Sequence, residues 1–249
     1  MIELKTPQEL KWMRRAGEVV GGLLVTLAAL VRPGMKTREL DERAMAYLHD
    51  RGAQPAFLGY RGFPASICVS VNEEVVHGIP AEREICAGDL VSLDVGAVVE
   101  GFYADAAITV MVGPVSAQAK RLVQATSQAL EEGIARAVEG NRLSDISHAV
   151  QQRVEHDGFG VVRDFVGHGI GRALHEDPPV PNFGPPHVGP RLKAGMVLAI
   201  EPMATLGRYD VEVLRDGWTA VTKDRSLAAH FEHTVAITED GPEILTRPG

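Results

Sequence analysis

Ala87-Gly88-Asp89-Leu90-Val91-Ser92-Leu93-Asp94 returns 107 residues later as Ala194-Gly195-Met196-Val197-Leu198-Ala199-Ile200-Glu201. Each copy is a glycine turn feeding an apolar strand that ends in a carboxylate. Thr37, which opens a helical pattern, lands on Ser144 under the same shift, so helices and strands repeat together. The competing reading is chance likeness between eight apolar-rich positions. The duplication predicts one domain, residues 1–249, of two related halves, roughly 1–113 and 114–249. A two-fold relation between the halves would carry both strand-end carboxylates to a common centre.

Outward from the repeat, Thr6-Pro7 with Glu9 supplies a capping hydroxyl, a first-turn proline and a reciprocal carboxylate, which predicts a helix start. Leu10, Met13, Ala16, Val20, Leu23, Leu24, Leu27 and Val31 then recur at helical spacing until Arg32-Pro33-Gly34. A second helix is expected from about Thr37 to Gly52. Two more follow the strand-like region 67–112, one capped by Ser116 and running to about Val138, one from about Ser144 to Gly158. Pro178 to Pro190 reads as a proline-rich loop.

Residues 90–112 alternate as a hairpin with Glu100-Gly101 at its turn. That turn sets Asp105 opposite Gly96 and makes Asp94 its diagonal neighbour on one face. Gly96 is expected to leave open the space between them. Either aspartate alone reads as a solvated turn residue. Both together, within strands of Val, Leu, Ile and Phe, need a cation, a shared proton or hydrogen bonds.

The second half adds candidates of the same kind. His168 stands among glycines in Gly167-His168-Gly169-Ile170-Gly171, where backbone approaches a ligand closely. Glu201 ends an apolar strand before Pro202, and Glu232 opens the strand-like run Glu232-His233-Thr234-Val235. An ion-pair core would require Arg or Lys, and none of these motifs holds one nearby. An oxygen-rich set with one nitrogen and no cysteine suits Mn, Fe, Co or Zn in a paired site. Asp94, Asp105, His168, Glu201 and Glu232 are therefore the expected ligands of two divalent cations, and metal-assisted hydrolysis is the expected chemistry. Glu201 or a bridging carboxylate is expected to take the proton of the attacking water, while His77 or His175 holds the carbonyl oxygen or the leaving nitrogen. His230 and His233 read as structural or exposed.

Composition bounds the rest. Lys+Arg of 25 against Asp+Glu of 33 gives a net charge of -8, the wrong sign for a phosphate backbone, so nucleic acid is an unfavoured partner. Two bound divalent cations bring the charge to about -4. The apolar stretch from Val19 to Val31 is shorter than the roughly 20 residues of a membrane span. No basic leader with an apolar core is visible, so Cys68 and Cys86 are read as reduced thiols and the compartment as cytoplasmic.

Five blocks in order carry a resemblance: Ser70-Val71-Asn72-Glu73-Glu74-Val75-Val76-His77-Gly78-Ile79-Pro80, Asp94 through Asp105, Gly167 to Gly171, Ile200-Glu201-Pro202-Met203 and Phe231-Glu232-His233-Thr234. From about Thr6 to Ile244 the chain resembles the type I methionine aminopeptidases of the pita-bread metallopeptidase family. The resemblance implies an α+β pita-bread fold, pseudo-two-fold halves with a central curved antiparallel sheet covered by helices. It implies that Asp94 chelates one metal, that Asp105 and Glu232 bridge both, and that His168 and Glu201 complete the other site. A water bridging the two metals would attack the scissile carbonyl. His77 would contact the amide nitrogen and His175 the carbonyl oxygen. The methionine side chain would enter a pocket including Phe57, Tyr60, Phe63, Cys68, His77 and Trp218, apolar walls with a soft thiol. The implied substrates are nascent polypeptide N-termini with a small second residue, met near the ribosome by a monomer. Phe57 and Leu174 depart from the Cys and Phe, and Phe63 from the Tyr, of familiar bacterial members, which bears on pocket shape. Glu201 and Glu232 stand too close for the helical insertion of type II enzymes, and the short start before Thr6 is expected to leave out amino-terminal extensions. The rivals are an X-Pro aminopeptidase or dipeptidase on the same fold, and a non-catalytic pita-bread binding protein.

Overall fold

Thr6 caps the first helix as its sequence demands. In the computed structural model, which describes residues 1–247, α1 spans Pro7–Leu30. The Thr6 hydroxyl accepts the Glu9 N–H, and the Glu9 carboxylate accepts the Thr6 N–H at 2.9 Å. Its buried face is Leu10, Met13, Val20, Leu23, Leu24 and Leu27, the three- and four-residue spacing that puts side chains on one stripe. α2 spans Thr37–Asp50.

Strand β1 is Ile67–Val71, and the hairpin strands β2 and β3 are Leu90–Val99 and Phe102–Met111. Glu100 and Gly101 both have positive φ, 52° and 77°, as the tight turn matching strand twist requires. The register pairs Gly96 with Asp105 and Asp94 with Ala107, as the turn placement predicts. The room at Gly96 is used differently from expectation. A Cβ there would stand 2.7 Å from the Phe57 ring and 2.8 Å from the Ala56 Cβ, so the missing side chain seats Phe57 and leaves no gap between carboxylates.

α3 spans Ala117–Ile134, with the Ser116 hydroxyl capping Ala119 N–H. It stops short of the expected Val138. Arg136 N–H returns to Gly133 O and Ala137 N–H to Ile134 O, a three-residue spacing that tightens the last turn and ends the helix. α4 spans Leu143–His156. β4 is Gly167–Gly169 and β5 is Glu176–Val180. Pro178 and Pro179 therefore lie in a strand where a loop was expected; β5 is the terminal strand of its sheet, where a missing N–H costs no ladder bond. β6 is Val197–Ile200, β7 Ala228–His230, β8 Glu232–Thr238 and β9 Gly241–Ile244.

One curved antiparallel sheet runs β2-β3-β8-β6-β4-β5, with β1 and the short strand Gln54–Pro55 also on β2 and β9 on β8. The halves meet where β3 pairs with β8. The repeat is visible in the backbone. β2 and β6 start 107 residues apart, and Gly88 and Gly195, under the same shift, have φ of 98° and 91°. Leu23 and Leu27 of α1 share a buried cluster with Leu93 and Val95, and Leu130 and Ile146 share another with Leu198 and Ile200. Each such side chain contributes about 1.5–3 kcal/mol by leaving water. Helices thus cover one face of the sheet and leave the carboxylates on the other. Between Glu201 and Glu232 the chain forms only strands. Among the described residues no helix is long and apolar enough to cross a membrane.

Candidate metal centre and substrate pocket

Adjacent strands deliver the charged groups to one place. β2 supplies Asp94, β3 Asp105, β4 His168 and β8 Glu232, while Glu201 directly follows β6. One ligand atom each from Asp105, His168 and Glu232 lies within 4.8 Å of the others. His168 Nε2 stands 3.6 Å from Glu201 Oε1 and 4.0 Å from Asp105 Oδ2. Asp94 completes the group on the wall of the same cavity, about 140 Å³ in volume.

Around these side chains the backbone is locked by hydroxyls and an amide. The Thr234 hydroxyl accepts Asp105 N–H at 2.9 Å and donates to Asp105 O at 2.7 Å. Asn182 donates to Glu201 O at 2.9 Å. His168 Nδ1 lies 2.9 Å from Gly169 O, which places its proton there and leaves the Nε2 lone pair aimed at the carboxylates.

Electrostatics states the problem this cluster poses. Burial is the largest cause raising all four acids: Asp94 is pushed up to about 7, and Asp105, Glu201 and Glu232 are held well above the carboxylate range. Neighbouring acids push the last three in the same direction. Burial pulls His168 down to about 3, and the neighbouring imidazole of His175 acts in the same direction. Asp94 Oδ1, Asp105 Oδ1 and Glu232 Oε1 are buried with no hydrogen-bond partner. No Arg or Lys pairs with Asp94, Asp105, Glu201 or Glu232 among the described residues. Orphaned oxygens on converging acids, beside a neutral imidazole nitrogen, fit divalent cations.

Beside the acids lies an apolar chamber. Phe57, Tyr60, Phe63, Cys68, His77 and Trp218 all line the cavity, as does Leu174. Phe63 meets Trp218 edge to face at 5.1 Å, and Cys68 pairs in register with Asp94, which brings the thiol to the junction of chamber and acids. Both cysteines are free. His77 adopts φ of 60°, a left-handed conformation costly for a non-glycine residue, and its ring stands edge-on to Phe165. Burial pulls it down to about 4. His175 stacks on Tyr60 with centroids 5.3 Å apart, its Nδ1 lies 3.0 Å from the Tyr60 hydroxyl, and its ring is 4.1 Å from that of His168. The structure thus brings every expected site residue to one cavity.

Two further residues stand beside these groups. Arg61, with φ of 48°, lines the cavity mouth and its charge helps to lower His175. His230, expected to be structural or exposed, is 2% exposed, with both ring nitrogens unpartnered and Nε2 3.8 Å from Glu201 Oε2. Its backbone is fixed by Thr109, whose hydroxyl donates to His230 O and accepts His230 N–H. The only signal in the sequence was proximity, since His230 stands two residues before Glu232; the strand period does not carry across them, because they lie in separate strands. His233 is structural, with Nδ1 2.8 Å from the Thr246 hydroxyl.

A sheet-borne set of four acids and a histidine, opening on an apolar chamber, defines a metallopeptidase. The chain belongs to metallopeptidase family M24, whose model matches residues 11–239. It is 54% identical to a methionine aminopeptidase of Clostridium perfringens, over 99% of each chain. It is 52% identical to methionine aminopeptidase 1 of Bacillus subtilis, over 99% of this chain and all of that one. The crystal structure of methionine aminopeptidase from Thermotoga maritima superposes with a TM-score of 0.98 at 48% identity, covering 99% of this chain and 100% of that one.

Proposed function

We infer that this chain removes the N-terminal methionine from polypeptides, and that it does so with two divalent cations held by Asp94, Asp105, His168, Glu201 and Glu232. The observation that carries the cation reading is the set of buried, unpartnered oxygens on Asp94, Asp105 and Glu232. Four carboxylates and one imidazole are enough donors for a pair of ions sharing acids. The oxygen-rich set suits Mn, Fe, Co or Zn. When bound, the cations lower the pKa of a water and polarise the scissile carbonyl.

The protein's own groups do the rest. The methionine side chain enters the chamber of Phe57, Tyr60, Phe63, Cys68 and Trp218, where a flexible thioether fits apolar walls and a thiol. Leu174 adds a further apolar side chain to its wall. The likeness to methionine aminopeptidases points to a small second residue as the preferred one. Glu201, ionised when it holds a cation, takes the proton of the attacking water and passes it to the leaving nitrogen. His175 is neutral through burial and the nearby Arg61, and Tyr60 orients it to donate to the carbonyl oxygen. His77, also neutral, holds the amide nitrogen. We propose that residues 1–249 act as one catalytic domain, with nascent N-termini in the cytoplasm as the natural substrates.

Metal-loaded protein is expected to release methionine from Met-Ala-Ser and to leave Ala-Pro-Ala intact, read by amino-acid chromatography. Cleavage of Ala-Pro-Ala alone would assign the chain to the X-Pro enzymes, and cleavage of neither to a binding role.

The wall at Gly96 offers a second test. Gly96→Val drives a branched side chain into Phe57 and Ala56, and overpacking of this kind costs about 1–3 kcal/mol. The expected result is a raised KM for Met-Ala-Ser with bound metal retained. An unchanged KM would show that Phe57 does not shape the pocket.

A further inference from the structure

Lys5 is a buried cation outside the metal centre, with its side chain 5% exposed. Its ammonium pairs with Glu176, whose side chain is 13% exposed. Glu176 Oε1 also accepts the N–H groups of Arg172 and Ala173, at 2.7 and 3.1 Å, so the turn 171–176 is wound around this carboxylate. His175 rides on that turn, next in sequence to Glu176. The Arg172 guanidinium is engaged elsewhere, with Glu9 at 3.1 Å and over the Phe102 ring, and leaves Lys5 as the cation that balances Glu176. Gly171 is where the two meet; any Cβ there would collide with the Lys5 Cε and the Glu176 carboxylate. The other end of Lys5 is fixed too. Its backbone N–H donates to Gly195 O at 2.7 Å, in the segment that leads into β6 and Glu201. Gly171 O in turn accepts Tyr103 N–H at 2.8 Å, from the strand that carries Asp105.

Resting on the role given above to His175, we propose that Lys5 is a positioning residue for peptide hydrolysis, which acts through Glu176 to hold the His175 turn against the strand leading to Glu201. A buried ion pair is a poor source of net stability, because desolvation cancels most of the attraction. What it does supply is a single geometry. Without the ammonium, the Glu176 carboxylate is buried and uncompensated; it relaxes toward water and draws the Arg172 and Ala173 amides with it. His175 then loses its place over His168 and under Tyr60, and a displacement near 1 Å at a group that meets the reacting carbonyl lowers turnover by about ten- to a hundred-fold.

The experiment uses the full chain with Lys5→Met, similar in length and uncharged, and Lys5→Arg. With metal and Met-Ala-Ser, Lys5→Met is expected to lower kcat at least about ten-fold while KM stays within about two-fold and bound metal matches the wild type. Lys5→Arg recovers most of the loss. In a His175→Ala background the same Lys5→Met change is expected to alter kcat less than about two-fold, since the effect runs through the imidazole. Equal losses in both backgrounds, or a lowered unfolding temperature with kcat unchanged, overturn the proposal. The His175 imidazole resonance of the metal-free chain should move in Lys5→Met and return in Lys5→Arg. An unmoved resonance overturns the proposal whether or not the peptide is cut. A moved resonance in a chain whose wild type ignores Met-Ala-Ser supports the tether and refutes the substrate reading alone.

Discussion

Asp105→Asn is expected to lose metal and activity together. Asp105 is 5% exposed, sits between Asp94 and Glu232, and has Oδ1 buried without a partner, so it is the acid best placed to be shared between two ions. Its backbone is bonded on both sides by the Thr234 hydroxyl, which an asparagine leaves intact. The substitution therefore keeps volume and fold, and removes one negative charge and one ligand oxygen. Loss of an outer hydrogen-bond partner of a ligand already costs roughly 10- to 100-fold in metal affinity; loss of the shared ligand should cost more. Turnover of Met-Ala-Ser is expected to fall at least about 10³-fold, equivalent to about 4 kcal/mol of barrier. Metal content by mass spectrometry and kcat/KM on the same preparation check this. Full turnover by a metal-free Asp105→Asn chain would mean that the hydrolytic centre lies elsewhere.

The hairpin was readable because its determinants are local. The turn at Glu100-Gly101 and the two-residue side-chain period suffice to set Asp105 against Gly96 and Asp94 diagonal to it, and the register agrees. The Thr6 cap and the glycine turns that open both repeat copies are local in the same sense; the expectation that each repeat strand ends at its carboxylate holds for β6, whereas β2 runs on past Asp94 to Val99 because the hairpin turn sets its end. Misread features depend on distant chain. His230, read as structural or exposed, is buried with Nε2 3.8 Å from Glu201 Oε2 because β7 is anchored through Thr109, 121 residues away. The room at Gly96 belongs to Phe57, some forty positions earlier, and no periodicity reports on that. Pro178 and Pro179 join a strand because β5 has a free edge, a fact about the sheet and not about proline. α3 ends early where the chain must turn back so that Gly140 N–H can reach Leu192 O. Lys5 and Glu176 are 171 residues apart, and each reads as an ordinary surface charge until the fold buries them together.

The second large effect is on stability, and its sign depends on the metal. Stripped of metal, the protein is expected to lose stability as pH rises from 7 to 8. Asp94, Asp105, Glu201 and Glu232 titrate near 4 in an unfolded chain. Folded, burial raises Asp94 to about 7 and holds the other three well above the carboxylate range. Asp94, raised to about 7, enters this window still holding part of a proton that the unfolded state has released and gives it up by pH 8; the other three are shifted in the same direction and act with the same sign, so the free energy of unfolding falls with pH. Histidines do not reverse the trend: burial depresses His77, His168 and His230 to about 4, 3 and 3, so they are neutral in the folded chain and largely neutral in the unfolded one above pH 7. Their contribution, stability lost as pH falls below about 6.5, lies outside the window. Metal reverses the balance of the acids, because ligation needs them ionised and releases their protons, and binding to the native state alone stabilises it by mass action. The gap in unfolding temperature between metal-loaded and chelator-stripped protein should therefore widen from pH 7 to 8, measured by calorimetry at constant ionic strength and free metal. A stripped protein whose unfolding temperature holds or rises across that interval would show that the four acids are not confined together in its native state, and the metal site inferred from them would go with it.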